Sequence, residues 1–405
     1  MRSAAPGAAW FARVSELTDE QREIRDLARR FADEVVAPAA PAWDREHTFP
    51  RDVLTQMGEL GLLGACIPAE HGGAGADFLS YVLALEEISR GDAGLGVTFA
   101  VHVSAGQLPI LANGTAEQID RLIPPAAQGH ELCAFALTES GSGSDASAML
   151  TRADADGRIT GTKQWITNGS HAHTFNVFAR DGSLGRPEAA RSSQDAGLDA
   201  PRSNPISAYL VRRGAPGFKV TREEEKLGQH SSSTADLAFE DTPSERLGPP
   251  GAGMRIALST LDGGRIGIAA QAVGIAQAAL DVAASYAKER TAFGRPIGAF
   301  QAIGHKLADM QTEIEAARAL TLRAARLKDA GRPHTVEGAQ AKLFASRVAR
   351  HWTGEAIQVL GGYGYTKDFP AERYYRDAKV TEIYEGTSEI QRLVIARALL
   401  GAAAG

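Results

Sequence analysis

The stretch IYEGTSEIQR, residues 383–392, holds the residue type and setting best suited to chemistry. One carboxylate, Glu385, stands between an aromatic residue, Tyr384, and a glycine, Gly386. Ile390, Leu393, Val394 and Arg397 follow at helical spacing, with Thr387 or Ser388 as the N-cap. A carboxylate on such a loop, beside a glycine that lets another molecule approach, can act as a general base. The same carboxylate can serve simply as an electrostatic cap of the helix, and this stretch alone supports both readings.

Other residues narrow the chemistry by what they do not form. Cys66 and Cys133 make neither a disulfide framework nor a metal cluster, so no metal site is expected. Their apolar neighbours point to buried, inert thiols in a reducing compartment. The clusters GSGSD (141–145) and GGYGY (361–365) lack the contexts of a dinucleotide fingerprint or a P-loop and read as turns. A net charge of −6 argues against a general nucleic-acid binder.

The elements that must position Glu385 follow from periodicity. With 405 residues the chain has room for several domains. Thr18 and Gln21 form a capping box before Ile24, Leu27 and Phe31, and Pro38 is expected to end that helix. Val53–Leu63, Phe78–Ile88 and a helix capped by Thr115 and Gln118 and ending at Ile123 continue a helical region over residues 1–130. Short β-rich runs then fill residues 131–243: CAFALTE, RITGTKQWIT, TFNVFA, ISAYLV, FKVT and ADLAFE. They predict a compact antiparallel sheet or barrel, with residues 181–205 as a polar surface insertion. Residues 244–405 return to long amphipathic helices whose apolar stripes read as core or subunit interface. The uncharged stretch Ile266–Leu280 is too short to span a bilayer, so no membrane is expected. MRSAAPGAAWFAR lacks an apolar signal core, which makes a disordered leader and a cytoplasmic location the expectation.

Four segments together resemble the acyl-CoA dehydrogenase family, most closely its short-chain (butyryl-CoA) branch. They are CAFALTESGSGSD (133–145), GTKQWITNG (161–169), ERTAFGRPIGAFQ (289–301) and QVLGGYGYTKDFPAERYYRDAKVTEIYEGTSEIQR (358–392). The likeness runs from about Thr18 to Leu400, apart from the 181–205 insertion. It implies an α+β, mainly α fold: an N-terminal helical domain, a middle antiparallel β-barrel-like domain and a C-terminal four-helix bundle. It also implies FAD-dependent α,β-dehydrogenation of an acyl-CoA to the trans-2-enoyl-CoA, with electrons passed to an electron-transfer flavoprotein.

By the resemblance Glu385 is the base, and the thioester oxygen is held by the backbone N–H at that position and a flavin hydroxyl. Some relatives carry the base instead just before the Arg of LDGGR, where this chain has Gly264. Phe135, Leu137 and Thr138 match residues lining the flavin, and Ser144 lies nearer the pantetheine. Trp165 and Thr167 match residues packed on the flavin and bonding its edge; without the resemblance Trp165 reads as β-domain core. Arg290, Phe293, Gln301, Gln358, Gly361 and Gly362 match residues that hold the ADP half of a neighbouring subunit's FAD. That sharing implies a homotetramer, a dimer of dimers. Thr387 and Glu389 match the remaining FAD contacts. Asp262, Arg265, Tyr384 and Gly386 fall on the substrate side, Asp262 and Arg265 at the CoA. Ser140 stands where the family usually has Pro, and His230 where Arg is common; both bear on substrate placement and docking. Two alternatives are carried: the same chemistry on a carrier-protein-bound or unusual acyl thioester, and a flavin-holding, nucleic-acid-binding relative.

Overall fold

The computed structural model describes residues 17–184 and 205–401. The leader and most of the polar insertion therefore lie outside the described residues. Helix α1 (Asp19–Phe31) opens with the expected capping box: Thr18 Oγ1 accepts the Gln21 N–H at 3.2 Å, and Gln21 Oε1 accepts the Thr18 N–H at 3.0 Å. Pro38 does not end this helical run. The chain widens into a π-turn at Ala32–Val36 and continues as α2 (Ala37–Glu46), with Pro38 in the first turn. There its missing N–H breaks no necessary bond.

Helices α3 (Arg51–Glu59), α4 (Phe78–Gly91), α5 (Ala93–Ala100), α6 (Leu108–Asn113) and α7 (Ala116–Ala127) complete the first layer. Helix α7 passes the expected stop at Ile123 and runs through Pro124 and Pro125. Burial of Ile123, Ala126 and Ala127 on its inner face outweighs the two missing donors.

Strands β1 (Cys133–Ala136), β2 (Arg152–Ala153), β3 (Ile159–Thr167), β4 (Thr174–Asp181), β5 (Ile206–Arg212), β6 (Phe218–Glu223), β7 (Thr234–Thr242) and β8 (Glu245–Leu247) form one sheet. Its order is β6-β7-β3-β2-β4-β5-β8, with β1 added on β4. The antiparallel expectation holds for five pairings but not for β1–β4 and β2–β4, which are parallel. The cause is topological: β3 pairs antiparallel on one side of β2, and β4 crosses over to pair on its other side, running the same way as β2 and β1. Asp181, expected to begin the surface insertion, is instead the buried last residue of β4. Ser207 Oγ donates to it at 2.6 Å and Arg246 pairs with it at 3.0 Å.

Helix α8 (Gly253–Glu289) is the spine of the third part, flanked by α9 (Gln301–Asp329) and α10 (Thr335–Leu360). A short turn of helix, α11 (Gly362–Tyr365), leads to α12 (Ala371–Ala378) and α13 (Ser388–Leu400), which pack on α10. The chain between α12 and α13 carries Glu385, so the last member of the bundle is broken where the candidate base sits.

The uncharged stretch Ile266–Leu280 proves to be the middle of a 37-residue helix. That helix and Ala93–Asn113 are long and apolar enough to cross a membrane by length and composition, yet both are largely buried against their neighbours. Their apolar surface is core. Gly274 sets the crossing of α8 with α4, since a Cβ there would lie 2.3 Å from the Glu86 carbonyl oxygen. Beside it Arg318 Nε donates to Glu86 at 2.8 Å in a buried pair. Gly274→Ala is expected to force the helices apart and destabilise the fold by about 2 kcal/mol, read as a lowered thermal midpoint.

Candidate active site

Thr387, not Ser388, caps α13: its Oγ1 accepts the Ile390 N–H at 3.3 Å. The two residues before it take left-handed backbone angles, with φ of 53° at Glu385 and 88° at Gly386. Gly386 adopts this freely; at Glu385 it costs about 1 kcal/mol, so neighbours must hold it. Gln391 Nε2 donates to the Gly386 carbonyl at 2.7 Å and to the Glu385 carbonyl at 3.3 Å. Lys342 Nζ, from α10, donates to the same Gly386 carbonyl at 2.5 Å. Tyr384 anchors the other end: its hydroxyl donates to Gln271 Oε1 and accepts from Gln229 Nε2 at 3.2 Å.

This loop aims the Glu385 carboxylate at α8, where Gly264 leaves it room. A Cβ at Gly264 would lie 2.5 Å from Glu385 Oε2. The position where some relatives keep a base is thus the position that must be empty here. Oε2 is buried and has no hydrogen-bond partner among the described residues. Burial pushes the carboxyl up to about 7, against the opposing pull of Lys342 and Arg265.

Glu385 opens on a cavity of about 380 Å³ between the sheet, α5, α8 and its own loop. Phe135, Leu137, Thr138, Ser144, Trp165 and Thr167 line it from the sheet side, and Arg265, Tyr384, Gly386 and Thr387 from the other. Val97, Val101, Ala105 and Ile268 form an apolar cluster against Phe135 and Tyr384, which makes this end dry. Trp165 is not core. It falls at a register shift between β3 and β7, has φ of 58°, and is 56% exposed on the cavity rim. Behind the wall, buried Lys163 donates to the Leu137 carbonyl at 2.8 Å and to Glu139 Oε1 at 2.9 Å. Burial lowers the Lys163 ammonium to about 8 while Glu139 holds it up.

The other expected residues lie elsewhere. Asp262 is outside the cavity lining; it pairs with Arg265 at 2.7 Å and accepts from the Thr335 hydroxyl at 2.7 Å. Arg265 is buried, and its Nε has no hydrogen-bond partner among the described residues. Arg290, Gly361 and Gly362 line a separate cleft of about 650 Å³, with Arg290 5.9 Å from the Tyr363 ring centre. Phe293 is 96% exposed, and Gln301 and Gln358 are also at the surface. Glu389 is exposed on α13 and pairs with Arg392 at 3.4 Å. Ser140 is exposed, while His230 Nδ1 sits 2.9 Å from Asp44, which also pairs with Arg376 at 2.7 Å. Sequence reasoning missed Lys342, Lys163, Gln229, Gln271 and Gln391. For Lys342, Lys163, Gln271 and Gln391 the available signal was a polar residue on a helix or strand; Gln229 lies in a loop between β6 and β7 and gave none.

Descriptions of the N-terminal, middle and C-terminal domains of acyl-CoA dehydrogenases match residues 18–130, 134–242 and 251–400. The chain belongs to the acyl-CoA dehydrogenase family. It is 50% identical over 391 residues to the mitochondrial short-chain specific acyl-CoA dehydrogenase of Bos taurus, covering 95% of this chain and 91% of that one. Butyryl-CoA dehydrogenase from Megasphaera elsdenii superposes with a TM-score of 0.87 at 41% identity, covering 95% of this chain and 99% of that one. A chain in the structure of the electron transferring flavoprotein of Acidaminococcus fermentans gives a TM-score of 0.89 at 46% identity, with 95% and 99% covered.

This acyl-CoA dehydrogenase is an FAD-dependent oxidoreductase. Its cavity suits a flavin: the Trp165 face, turned outward at a conformational cost that packing does not explain, and the Thr138 and Thr167 hydroxyls surround an apolar slot.

Two outcomes follow from the geometry. Gly264→Ala is expected to displace the carboxylate and lower kcat about tenfold while FAD stays bound, checked by steady-state kinetics and the visible spectrum. Glu385 is raised from 4.5 to about 7, so its stabilising contribution is complete below pH 4.5 and lost as pH rises through 7. Glu385→Gln is therefore expected to match the parent's stability near pH 4 and to exceed it by roughly 2 kcal/mol at pH 8, measured by denaturant unfolding.

Proposed function

We propose that this enzyme oxidises a short-chain acyl-CoA, of about butyryl length, to its trans-2-enoyl-CoA in fatty acid β-oxidation, passing electrons to an electron-transfer flavoprotein. The carrying observation is the Glu385 carboxylate, the one acid among the described residues lining an apolar cavity, whose buried Oε2 has no hydrogen-bond partner among them. FAD, when bound, supplies the acceptor for the β-hydride. The chain's own residues do the rest. Glu385 takes the α-proton; with its carboxyl up to about 7 it is partly ionised at neutral pH and basic enough to work. An acyl chain entering beside Val97, Val101 and Ile268 expels water and raises that basicity further. The backbone N–H of Glu385 offers a donor to the thioester oxygen as charge develops.

Ser144 lines the cavity and suits the pantetheine side, while the Arg265–Asp262 pair suits the CoA thioester arm. The acyl length is supported by the likeness to short-chain and butyryl-CoA enzymes, and the acceptor by the likeness to the flavoprotein structure. Arg290, Gln301, Gln358, Gly361 and Gly362 lie on exposed surface away from the Glu385 cavity. One FAD can use both groups if they come from two subunits, which supports a tetramer built as a dimer of dimers. We place the enzyme in the cytoplasm.

Anaerobic titration with acyl-CoAs from propionyl to palmitoyl tests the activity. The flavin band is expected to bleach most completely with butyryl-CoA, and Glu385→Gln should keep the band but lose at least about a thousandfold in kcat. A flavin that no acyl-CoA bleaches would redirect the reading to a carrier-bound thioester. Light scattering is expected to give a tetramer, and Arg290→Ala to loosen FAD retention.

A further inference from the structure

We infer that Lys342 is a positioning residue for proton abstraction: it clamps the loop bearing Glu385 and supplies a buried positive charge to the carboxylate's surroundings. The inference rests on the function proposed above. Lys342 lies on α10 and is 0% exposed. Among the described residues its ammonium makes one hydrogen bond, to the Gly386 carbonyl at 2.5 Å, and has no carboxylate within ion-pair distance. Burying an ammonium without a carboxylate partner is costly, so packing alone does not explain a lysine here. A charge-assisted bond to the carbonyl of the residue following Glu385 does. With Gln391, which also donates to the Glu385 carbonyl at 3.3 Å, it holds the peptide that follows the two left-handed residues and so fixes where the Glu385 side chain leaves the chain.

The charge matters as well as the bond. Facing the pair are Arg265 from α8, Tyr81 from α4, Glu382 from the turn before the loop, and Glu389 from α13. Burial lowers Lys342 to about 8, with Glu385 pulling it back up and Arg265 pushing it further down. Lys342 in turn is first among the charges that draw Glu385 down against its burial. Lys342 thereby favours the ionised, proton-accepting form of Glu385 before substrate arrives. The two groups therefore ionise in opposite senses within the neutral range, each favouring the other's charged form.

The test compares Lys342→Gln, which keeps a donor but no charge, with Lys342→Arg, which keeps the charge. Flavin absorbance confirms that each holoenzyme is loaded, and kcat/KM for butyryl-CoA is then followed against pH. The Gln variant is expected to move the rising limb upward by about one pH unit and to lose about tenfold in kcat/KM at pH 7, mostly in kcat. The Arg variant is expected to keep the limb in place. A Gln limb at the wild-type position, or an Arg limb displaced as far as the Gln limb, would overturn the inference. Should the Gln variant fail to retain flavin, the Arg limb decides alone. Wild-type enzyme run alongside keeps the two proposals distinguishable, since an inert wild type would fail the function and leave no limb to shift.

Discussion

The structure depends on keeping one carboxylate dry. A carboxylate whose buried oxygen has no partner among the described residues is unfavourable in isolation, and the fold tolerates it only by surrounding it with specific concessions. Gly264 gives up a side chain so the carboxylate can approach α8. Glu385 accepts a left-handed backbone; Gln391 of α13 and Lys342 of α10 hold the loop there, and the loop's own Tyr384 ties it to Gln271 of α8. The apolar cluster of Val97, Val101 and Ile268 supplies the dryness that raises the acid, and the same dryness suits an acyl chain.

The three parts of the chain divide this work. Helix α8 gives one long rigid face that carries Gly264, Arg265, Ile268 and Gln271 past the loop. The last bundle element is broken between α12 and α13, so Glu385 rides on a loop while rigid helices pack to either side. The sheet supplies the opposite wall, and a bulge in β3 turns Trp165 outward onto the rim. Lys163 and Glu139 brace that wall from behind with a buried, fully bonded pair.

Where pattern reading misjudged the chain, tertiary context overrode a local rule. Pro38 is a helix breaker in the interior but harmless in a first turn, and a π-turn before it provides that first turn. Pro124 and Pro125 fall inside α7 because its buried face is worth more than two donors. Alternation finds strands one at a time but carries no information on partner direction, so the parallel β1–β4 and β2–β4 pairings were invisible. Asp181 looked like loop because an acid usually is; its buried hydrogen bonds to Ser207 and Arg246 come from residues distant in the chain. Tyr384, expected only on the substrate side, lines the cavity and also anchors the loop through Gln271 and Gln229.

The sequence by itself determined the order of helical, β and helical regions, because periodicity and turn chemistry are local. It also marked Glu385 as a carboxylate suited to act as a base or as a helix cap, because the loop, the glycine and the helix start are neighbours in the chain; the family resemblance chose between the two. Only the tertiary structure decided that Gly264 makes room for that base, that Lys342 and Gln391 hold its loop, and that its acidity is displaced to about 7. It also separated the Arg290, Gly361 and Gly362 surface from the Glu385 cavity within one subunit. Desolvation and contact depend on which distant residues surround a group, and that is a property of the packed chain rather than of its order.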